Sequence, residues 1–344
     1  MHRIFLFTSS LISVAVLFYI LIVGEYLIIP FVIALVIWYL VNSIRQVFMR
    51  VKIGNRALPS WLTLLAATLS IIFVLTMIGE LIAHNANAMM ASAPTYKGKL
   101  ESLTQQGMEL VGIDELPNFA NLFEGFDYTT MVSNIVNTLS GLAGNIFLIL
   151  IYVGFFLAEQ GSFNKKLTSL FPNEEQRDRI KKILSRINES IQTYLSVKTL
   201  ASFLTGLLSF IILLSVGVDF AIFWASLIFL LNYIPTIGSL IATAFPALLA
   251  LIQFDHLTPF VIVLIGVGAV QVAVGNILEP RLMGSSLNLS PLVVILSLSL
   301  WGAIWGVAGM ILCVPIMVIL MIILAQFPLT RPVAILLSAN GKVA

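Results

Sequence analysis

The stretch that decides the fold is LSPLVVILSLSLWGAIWGVAGMILCVPIMVILMIILA, residues 289–325, in which no side chain is charged. As one helix it would be about 55 Å long, which is too long for one upright crossing of a ~30 Å hydrocarbon core and short for two crossings with a turn. Gly302, Gly306 and Gly309 occur at spacings by which membrane helices pack closely, and Pro315 follows. We predict a segment that folds back as a re-entrant hairpin, and we assign the three glycines to helix packing.

The rest of the chain is also strongly apolar and poor in charge. Of its 344 residues, 59% are hydrophobic and only 10% are charged, whereas soluble domains carry roughly 25% charged residues. The sequence therefore predicts an all-α, polytopic helical membrane protein. We expect about six to eight transmembrane helices, and the number depends on how many of the overlong apolar segments are re-entrant hairpins broken by Pro and Gly.

Several classes of protein are excluded. The net charge of +2 gives no global field that would attract nucleic acid. One cysteine and three scattered histidines form no recognisable metal motif, and we find no sequence signature of a hydrolase, an ATPase or a dinucleotide-binding enzyme. We therefore expect no enzymatic activity, no cofactor and no metal, and we expect any transport to be driven by an ion gradient or by the solute gradient itself.

Charge divides the chain into five segments. Residues 1–83 hold three apolar helices, residues 134–158 hold a fourth, and residues 199–344 form a C-terminal transmembrane transport core. Residues 84–133 carry two basic and six acidic side chains, and residues 159–198 carry eight basic and five acidic ones. Because cytoplasmic loops hold the excess of Lys and Arg, we predict that 84–133 is an extracytoplasmic helical segment. The segment 159–198 becomes a cytoplasmic amphipathic helix, and both termini are cytoplasmic.

A second overlong apolar segment, residues 220–252, is interrupted by Asn232-Tyr-Ile-Pro-Thr-Ile-Gly238. Pro235 lacks an N–H group and breaks the helical ladder, and Gly238 permits a turn. Asn232 and Thr236 place polar atoms at membrane depth, and broken helices of this kind form the binding sites of many transporters. We predict a second re-entrant hairpin, and we name Asn232, Pro235, Thr236 and Gly238 as candidates for binding a substrate or an ion.

A third interruption, Gly275-Asn-Ile-Leu-Glu-Pro-Arg-Leu-Met-Gly284, places an acid and a base around a proline that disfavours a regular helix. Glu279 is the strongest candidate because a carboxylate near membrane depth is costly and marks function by default. It would bind a cation, exchange a proton or pair with Arg281, or else form a structural ion pair at the membrane interface. The other candidates for substrate or ion binding here are Asn276, Pro280, Arg281 and Gly284.

These motifs resemble those of the autoinducer-2 exporter family, the PerM-like bacterial membrane transporters. The resemblance is carried by Asn232 to Gly238, Asn276 to Gly284, Leu289 to Val293, Trp301 to Gly309, and Pro315. It implies a transporter of small solutes in the bacterial inner membrane, and other members of the family look like sodium/proton antiporters. It also implies a homo-oligomer, for which a pentamer is one proposed form.

Three functions stay open on the sequence. The first is export of a small polar solute such as the quorum-sensing signal autoinducer-2, by alternating access around the broken helices. The second is sodium(lithium)/proton antiport, which needs a titrating carboxylate and finds its best candidate in Glu279. The third is a non-transporting oligomeric scaffold that recruits partners through residues 84–133 or 173–198.

Overall fold

The structure is a computed structural model that describes residues 2–50, 52–53, 56–111, 144–284 and 287–343. The outer part of the predicted extracytoplasmic segment, residues 112–133, lies outside these ranges, and so do residues 134–143 of the predicted fourth span. The helices of the described residues are accompanied by one small antiparallel hairpin, in which β1 (Lys52–Ile53) pairs with β2 (Arg56–Ala57), and by a single bridge between Leu289 and Ser338.

The helices follow one another in a simple order. They are α1 (His2–Val23), α2 (Glu25–Arg50), α3 (Ser60–Val111), α4 (Ile146–Glu159), α5 (Phe163–Leu170), α6 (Glu174–Val216), α7 (Ala221–Leu231), α8 (Ile237–Gln253), α9 (Thr258–Gln271), α10 (Glu279–Met283), α11 (Pro291–Leu324) and α12 (Arg331–Leu337). A π-helical turn, Val272–Leu278, joins α9 to α10.

Five of the described helical segments are long and apolar enough to cross a membrane, and a sixth is counted if the bent pair α4 and α5 forms one span. The five are Glu25–Arg50, Ser60–Asn85, Glu174–Val216, Thr258–Met283 and Pro291–Ala325. The chain is a polytopic helical membrane protein, as its composition predicts. The shorter helices α7 and α8, with 11 and 17 residues, fall below the length of a span.

Backbone contacts divide the chain into two compact units, and α3 and α6 each continue from one unit into the other. Unit 1 comprises residues 1–67, 144–196 and 285–344. In it α2 packs on α4 through Ala34, Ile149 and Val153, and the ring of Phe31 meets the ring of Phe156 edge-on at 5.2 Å. These contacts bury apolar side chains and interlock aromatic edges and faces, which stabilises the helix pair.

The overlong apolar run, residues 289–325, folds back on itself within unit 1. The reversal lies at Trp305 and Gly306, and Gly306 has φ +57° and ψ −138°, a conformation that favours glycine. A Cβ on Gly309 would lie 1.9 Å from the Trp301 carbonyl oxygen, and one on Gly302 would lie 3.0 Å from Met310. Residues eight apart on a straight helix are separated by about 12 Å, so α11 is a helical hairpin. Gly302 and Gly309 lie at its helix contact, whereas Gly306 is the hinge rather than the packing residue expected of it.

Unit 2, residues 68–143 and 197–284, contains a second hairpin built from α7 and α8. The two helices separate at residues 232–236, where the sequence places its Asn-Tyr-Ile-Pro-Thr interruption. A Cβ on Gly238 would lie 1.9 Å from the Leu231 carbonyl oxygen, so the start of α8 touches the end of α7. At the other end, the Gln253 side chain donates to Gly217 O at 2.8 Å and accepts from the Asp219 N–H at 2.8 Å. The hairpin therefore begins and ends at the same place.

The break expected around Pro280 takes another form. The helix that starts at Thr258 continues through the π-helical turn and through Pro280, and it ends at Gly284, which has φ +54°. A proline inside an α-helix clashes with the carbonyl group four residues earlier and leaves that group without its donor. The π-helical turn, Val272–Leu278, ends two residues before Pro280. Its hydrogen bonds span five residues instead of four, which is how a helix accommodates a residue that cannot join the regular α-helical pattern.

Candidate functional site

Helix α6 carries a buried polar stripe through the apolar part of unit 2. Lys198, Ser202, Thr205 and Ser209 recur every three or four residues, and each is less than a tenth exposed. At about 100° per residue these four side chains lie within roughly 40° of one direction. Polar groups so placed require partners, because a buried polar atom without one costs free energy. Lys198 and Ser202 find theirs on the helix that ends at Gly284 and on the hairpin, respectively. Thr205 Oγ1 donates to Ala201 O of its own helix at 2.8 Å, and no described residue is a hydrogen-bond partner of Ser209 Oγ.

The central contact of the stripe is an ion pair between Lys198 and Glu279. The Lys198 ammonium donates to both carboxylate oxygens of Glu279, at 2.8 and 3.0 Å, and the two side chains are only 8% and 14% exposed. Contact with both oxygens holds the carboxylate in one orientation and cancels the two charges. Glu279 was the strongest sequence candidate, and its partner is Lys198 from α6 rather than its neighbour Arg281.

The interrupted tip of the hairpin lies next to this pair. The Asn232 amide donates to Ser202 Oγ at 3.0 Å in a fully buried contact. The Tyr233 hydroxyl donates to Thr199 Oγ1 at 2.8 Å. Since Thr199 follows Lys198 and Ser202 lies one turn further along α6, the tip and the ion pair share one polar region. We call the six residues Lys198, Thr199, Ser202, Asn232, Tyr233 and Glu279 the polar cluster.

The remaining sequence candidates lie around this cluster or apart from it. Gly238 is buried at the hairpin contact, and Pro235 is half-buried at the tip. Other candidates are exposed in the described structure, and these are Thr236, Asn276, Pro280, Arg281 and Gly284. Arg281 lies two residues beyond Glu279 and therefore about 200° around the helix from it. The structure thus joins Asn232 with Glu279 and leaves Arg281 outside the polar cluster.

Sequence reasoning missed Lys198, Thr199, Ser202 and Tyr233. The charge pattern places Lys198 in the predicted cytoplasmic segment, because it is the last charge before a long apolar run. A usable signal was nevertheless present, since Lys198, Ser202, Thr205 and Ser209 recur at helical spacing in a run that is otherwise apolar. Such a stripe predicts that one face of a membrane helix is turned away from lipid.

The opposite end of unit 2 is tied to the C-terminal half of α3. The Tyr96 hydroxyl donates to the Asp219 carboxylate at 2.7 Å, and the Lys99 ammonium donates to the Gln253 carbonyl oxygen at 2.7 Å. Tyr96 belongs with Ile82 and Met89 to one buried stripe of α3 that packs into the unit 2 core. The two ends of the hairpin are therefore held together by Gln253 and are also held to α3.

Residues 11–328 match the family model described as AI-2E family transporter. The chain belongs to the AI-2E transporter family. The matched range includes the two hairpins and every residue of the polar cluster.

Individual relatives agree with the family assignment over most of their length. A putative transport protein of Haemophilus influenzae is 34% identical over 325 residues, covering 90% of each chain. The AI-2 transport protein TqsA of Escherichia coli is 32% identical over 320 residues, covering 92% of this chain and 90% of its own. The putative transport protein YhhT of E. coli is 31% identical over 255 residues, covering 71% of this chain and 70% of its own. The chain is thus a multi-pass membrane protein of a family of transporters.

Proposed function

We propose that this member of the AI-2E family is a secondary transporter that exports a small polar solute, and that the polar cluster is its solute site. The observation that carries the proposal is the buried Lys198–Glu279 pair beside the tip of a broken helical hairpin. Broken helices at membrane depth supply binding groups without lipid-exposed backbone. TqsA, the relative described as an AI-2 transport protein, makes autoinducer-2 the first solute to test.

The charges of the cluster favour an uncharged polar solute. Lys198 and Glu279 cancel each other, and the other four members contribute amide and hydroxyl groups that both donate and accept hydrogen bonds. A solute that competes for these bonds would loosen the contact between the hairpin tip and α6. That loosening would couple solute binding to movement of the hairpin, as alternating access requires.

We further propose the orientation and setting of the chain. Arg179, in the basic segment at the start of α6, donates to the Gln326 carbonyl oxygen at 2.9 Å, so the loop after α11 lies beside that segment. The positive-inside rule favours the cytoplasm for this side and for both termini. We propose the bacterial inner membrane as the location and a homo-oligomer, for which a pentamer is one form, as the assembly.

The test is export of autoinducer-2 from a strain in which the native gene is deleted. We expect the wild-type chain to restore export, and Glu279→Gln and Asn232→Ala to lower it at least about tenfold at equal membrane abundance, since each removes a central bond of the cluster. Glu159→Gln is the matched control because Glu159 forms an ion pair with Lys166 at 2.8 Å in which both side chains are more than half exposed. Full export by both cluster variants would refute the site.

Sodium(lithium)/proton antiport is a second candidate, favoured by the largely buried carboxylate of Glu279. Against it, the Lys198 ammonium already occupies both carboxylate oxygens, so a sodium ion would have to replace it. Inside-out vesicles with a pH-sensitive dye distinguish the two functions. Dequenching on addition of sodium or lithium, abolished by Glu279→Gln, would establish antiport, and its absence together with autoinducer-2 export would leave export as the function.

A further inference from the structure

One buried amide of unit 2 has no role in the contacts described so far. Gln271 on α9 is 8% exposed, and no described residue is a hydrogen-bond partner of its Nε2 atom. The buried side of the helix around it is otherwise apolar, with Val267 one turn earlier and Val263 two turns earlier, both fully buried. A buried amide without a partner costs free energy, and such a group requires an explanation.

The position of Gln271 follows from the packing of α9 on α8. A Cβ on Gly268 would lie 3.9 Å from Thr243 Cγ2, so this face of α9 is turned toward α8. The connection between the two helices is only four residues long, and they run antiparallel. One turn further from that connection, Gln271 on α9 comes level with Ser239 on α8.

Distances along the helices also place Gln271 level with the tip of the hairpin. Counted from the end where Gln253 ties the hairpin, at 1.5 Å per residue, Asn232 lies about 17 Å along, Gln271 and Ser202 about 20 Å, and Gly238 about 22 Å. Gln271 is therefore level with the buried Asn232–Ser202 contact and with the start of α8.

The start of α8 offers hydrogen-bond donors at that depth. Its N-cap residue, Thr236, makes no side-chain capping bond, and no described residue accepts from the N–H groups of Gly238 and Ser239. The first N–H groups of a helix have no partner within the helix and need one from outside. Gln271 Nε2 and these N–H groups are therefore donors without a described partner at one depth of unit 2, on the side of the Lys198–Glu279 pair, whose charges cancel.

We propose that Gln271 and the first turn of α8 form a hydrogen-bonding subsite for an uncharged, hydroxyl-bearing part of the transported solute. The proposal rests on the proposed transport function and names the group that determines solute specificity. A hydroxyl oxygen accepts from Nε2 and from a backbone N–H, and its own proton is donated to the cluster. Neutral hydroxyls suit the subsite because an ionised group would be desolvated there without a compensating net charge.

Binding is tested on the purified full-length chain in detergent, with ribitol as an uncharged polyol probe. We expect millimolar ribitol to raise the melting temperature of the wild-type chain by about 2–4 °C in a saturable manner, because a ligand that binds only the folded state stabilises it. Gln271→Met should abolish the rise. The control is Gln253→Met, which removes a glutamine from the opposite end of the hairpin and should melt earlier but keep the ribitol response.

The melting temperature without ribitol gives an independent check. Because Gln271 Nε2 has no described partner, Gln271→Met should melt at or above the wild-type temperature, and a clear decrease would show that the amide is bonded within the protein, which overturns the subsite. A ribitol response that survives in Gln271→Met, or that is absent in the wild type, also overturns it. Failure of autoinducer-2 export with a Gln271-dependent ribitol response would instead reject the proposed solute and retain the subsite.

Discussion

Neutralising one member of the Lys198–Glu279 pair should destabilise the protein far more than neutralising both. At 2.8 Å and an effective dielectric constant near 20, the attraction between the charges is about 6 kcal/mol. Desolvation of the two groups offsets much of that attraction, so the pair as a whole contributes little net stability. Removing one partner is different because it leaves the other charge buried and unpaired, at a cost of about 3–5 kcal/mol.

The perturbation is a double-mutant cycle of Lys198→Met, Glu279→Leu and the combination. Each single substitution should lower the free energy of unfolding by about 3–5 kcal/mol, whereas the double variant should lie within about 1 kcal/mol of the wild type because it replaces the pair with apolar side chains of similar size. The free energy is measured by titrating the purified chain from mild detergent into SDS. The exposed Lys166–Glu159 pair serves as a control, and its neutralisation should change stability by less than about 1 kcal/mol.

The function of the double variant decides between a structural pair and a transport site. If the pair only holds α6 to the helix that ends at Gly284, restored stability should restore export of the solute. If the pair belongs to the solute site, the double variant should be stable and still fail to export. Wild-type export by the double variant, or single variants as stable as the surface control, would refute the reasoning.

Three further substitutions test other contacts. Gly238→Ala should destabilise the chain by about 2–3 kcal/mol, because the added Cβ would lie 1.9 Å from Leu231 O and the hairpin must open. SDS unfolding measures this loss of stability. The control is Gly275→Ala, because a Cβ at that position meets nothing within 4 Å. Trp305→Phe should cost about 1 kcal/mol through loss of the indole bond to Leu21 O at 2.9 Å, and an unchanged melting temperature would contradict that bond. Tyr96→Phe should cost about 1 kcal/mol and speed hydrogen exchange of the amides around Asp219, since the 2.7 Å bond to that carboxylate is lost. Exchange at the wild-type rate would contradict the inference that this hydrogen bond holds the segment around Asp219.

Hairpin geometry shows where sequence reasoning was sufficient and where it was not. The interruption at residues 232–236 is visible in the sequence because Pro235 removes a donor and Gly238 admits a backbone within contact distance. Gly306 looked like its neighbours Gly302 and Gly309, all three at packing spacing. Only the folded backbone shows that Gly306 adopts a left-handed conformation while the other two meet the opposite arm.

The helix that continues through Pro280 is a second feature that the sequence did not predict. A proline predicts an interruption, because its ring excludes the regular i to i−4 pattern. In the structure the helix is not interrupted, and a π-helical turn precedes the proline. The neighbouring Glu279 is bonded to Lys198 from another helix. That contact joins residues 81 positions apart, and no local pattern in either segment reports it.

The sequence by itself determined the membrane-embedded helical class and the position of the interruption at residues 232–236, and it singled out Glu279 as a candidate, because hydropathy, charge and proline act locally on the chain. The tertiary structure decided the partners. It brought Lys198 to Glu279, Ser202 to Asn232 and Gln271 to the depth of the hairpin tip, while Arg281 stayed exposed. The physical reason is that a buried charge or amide is satisfied by whichever group the packing of distant helices places beside it, and that packing depends on the whole fold.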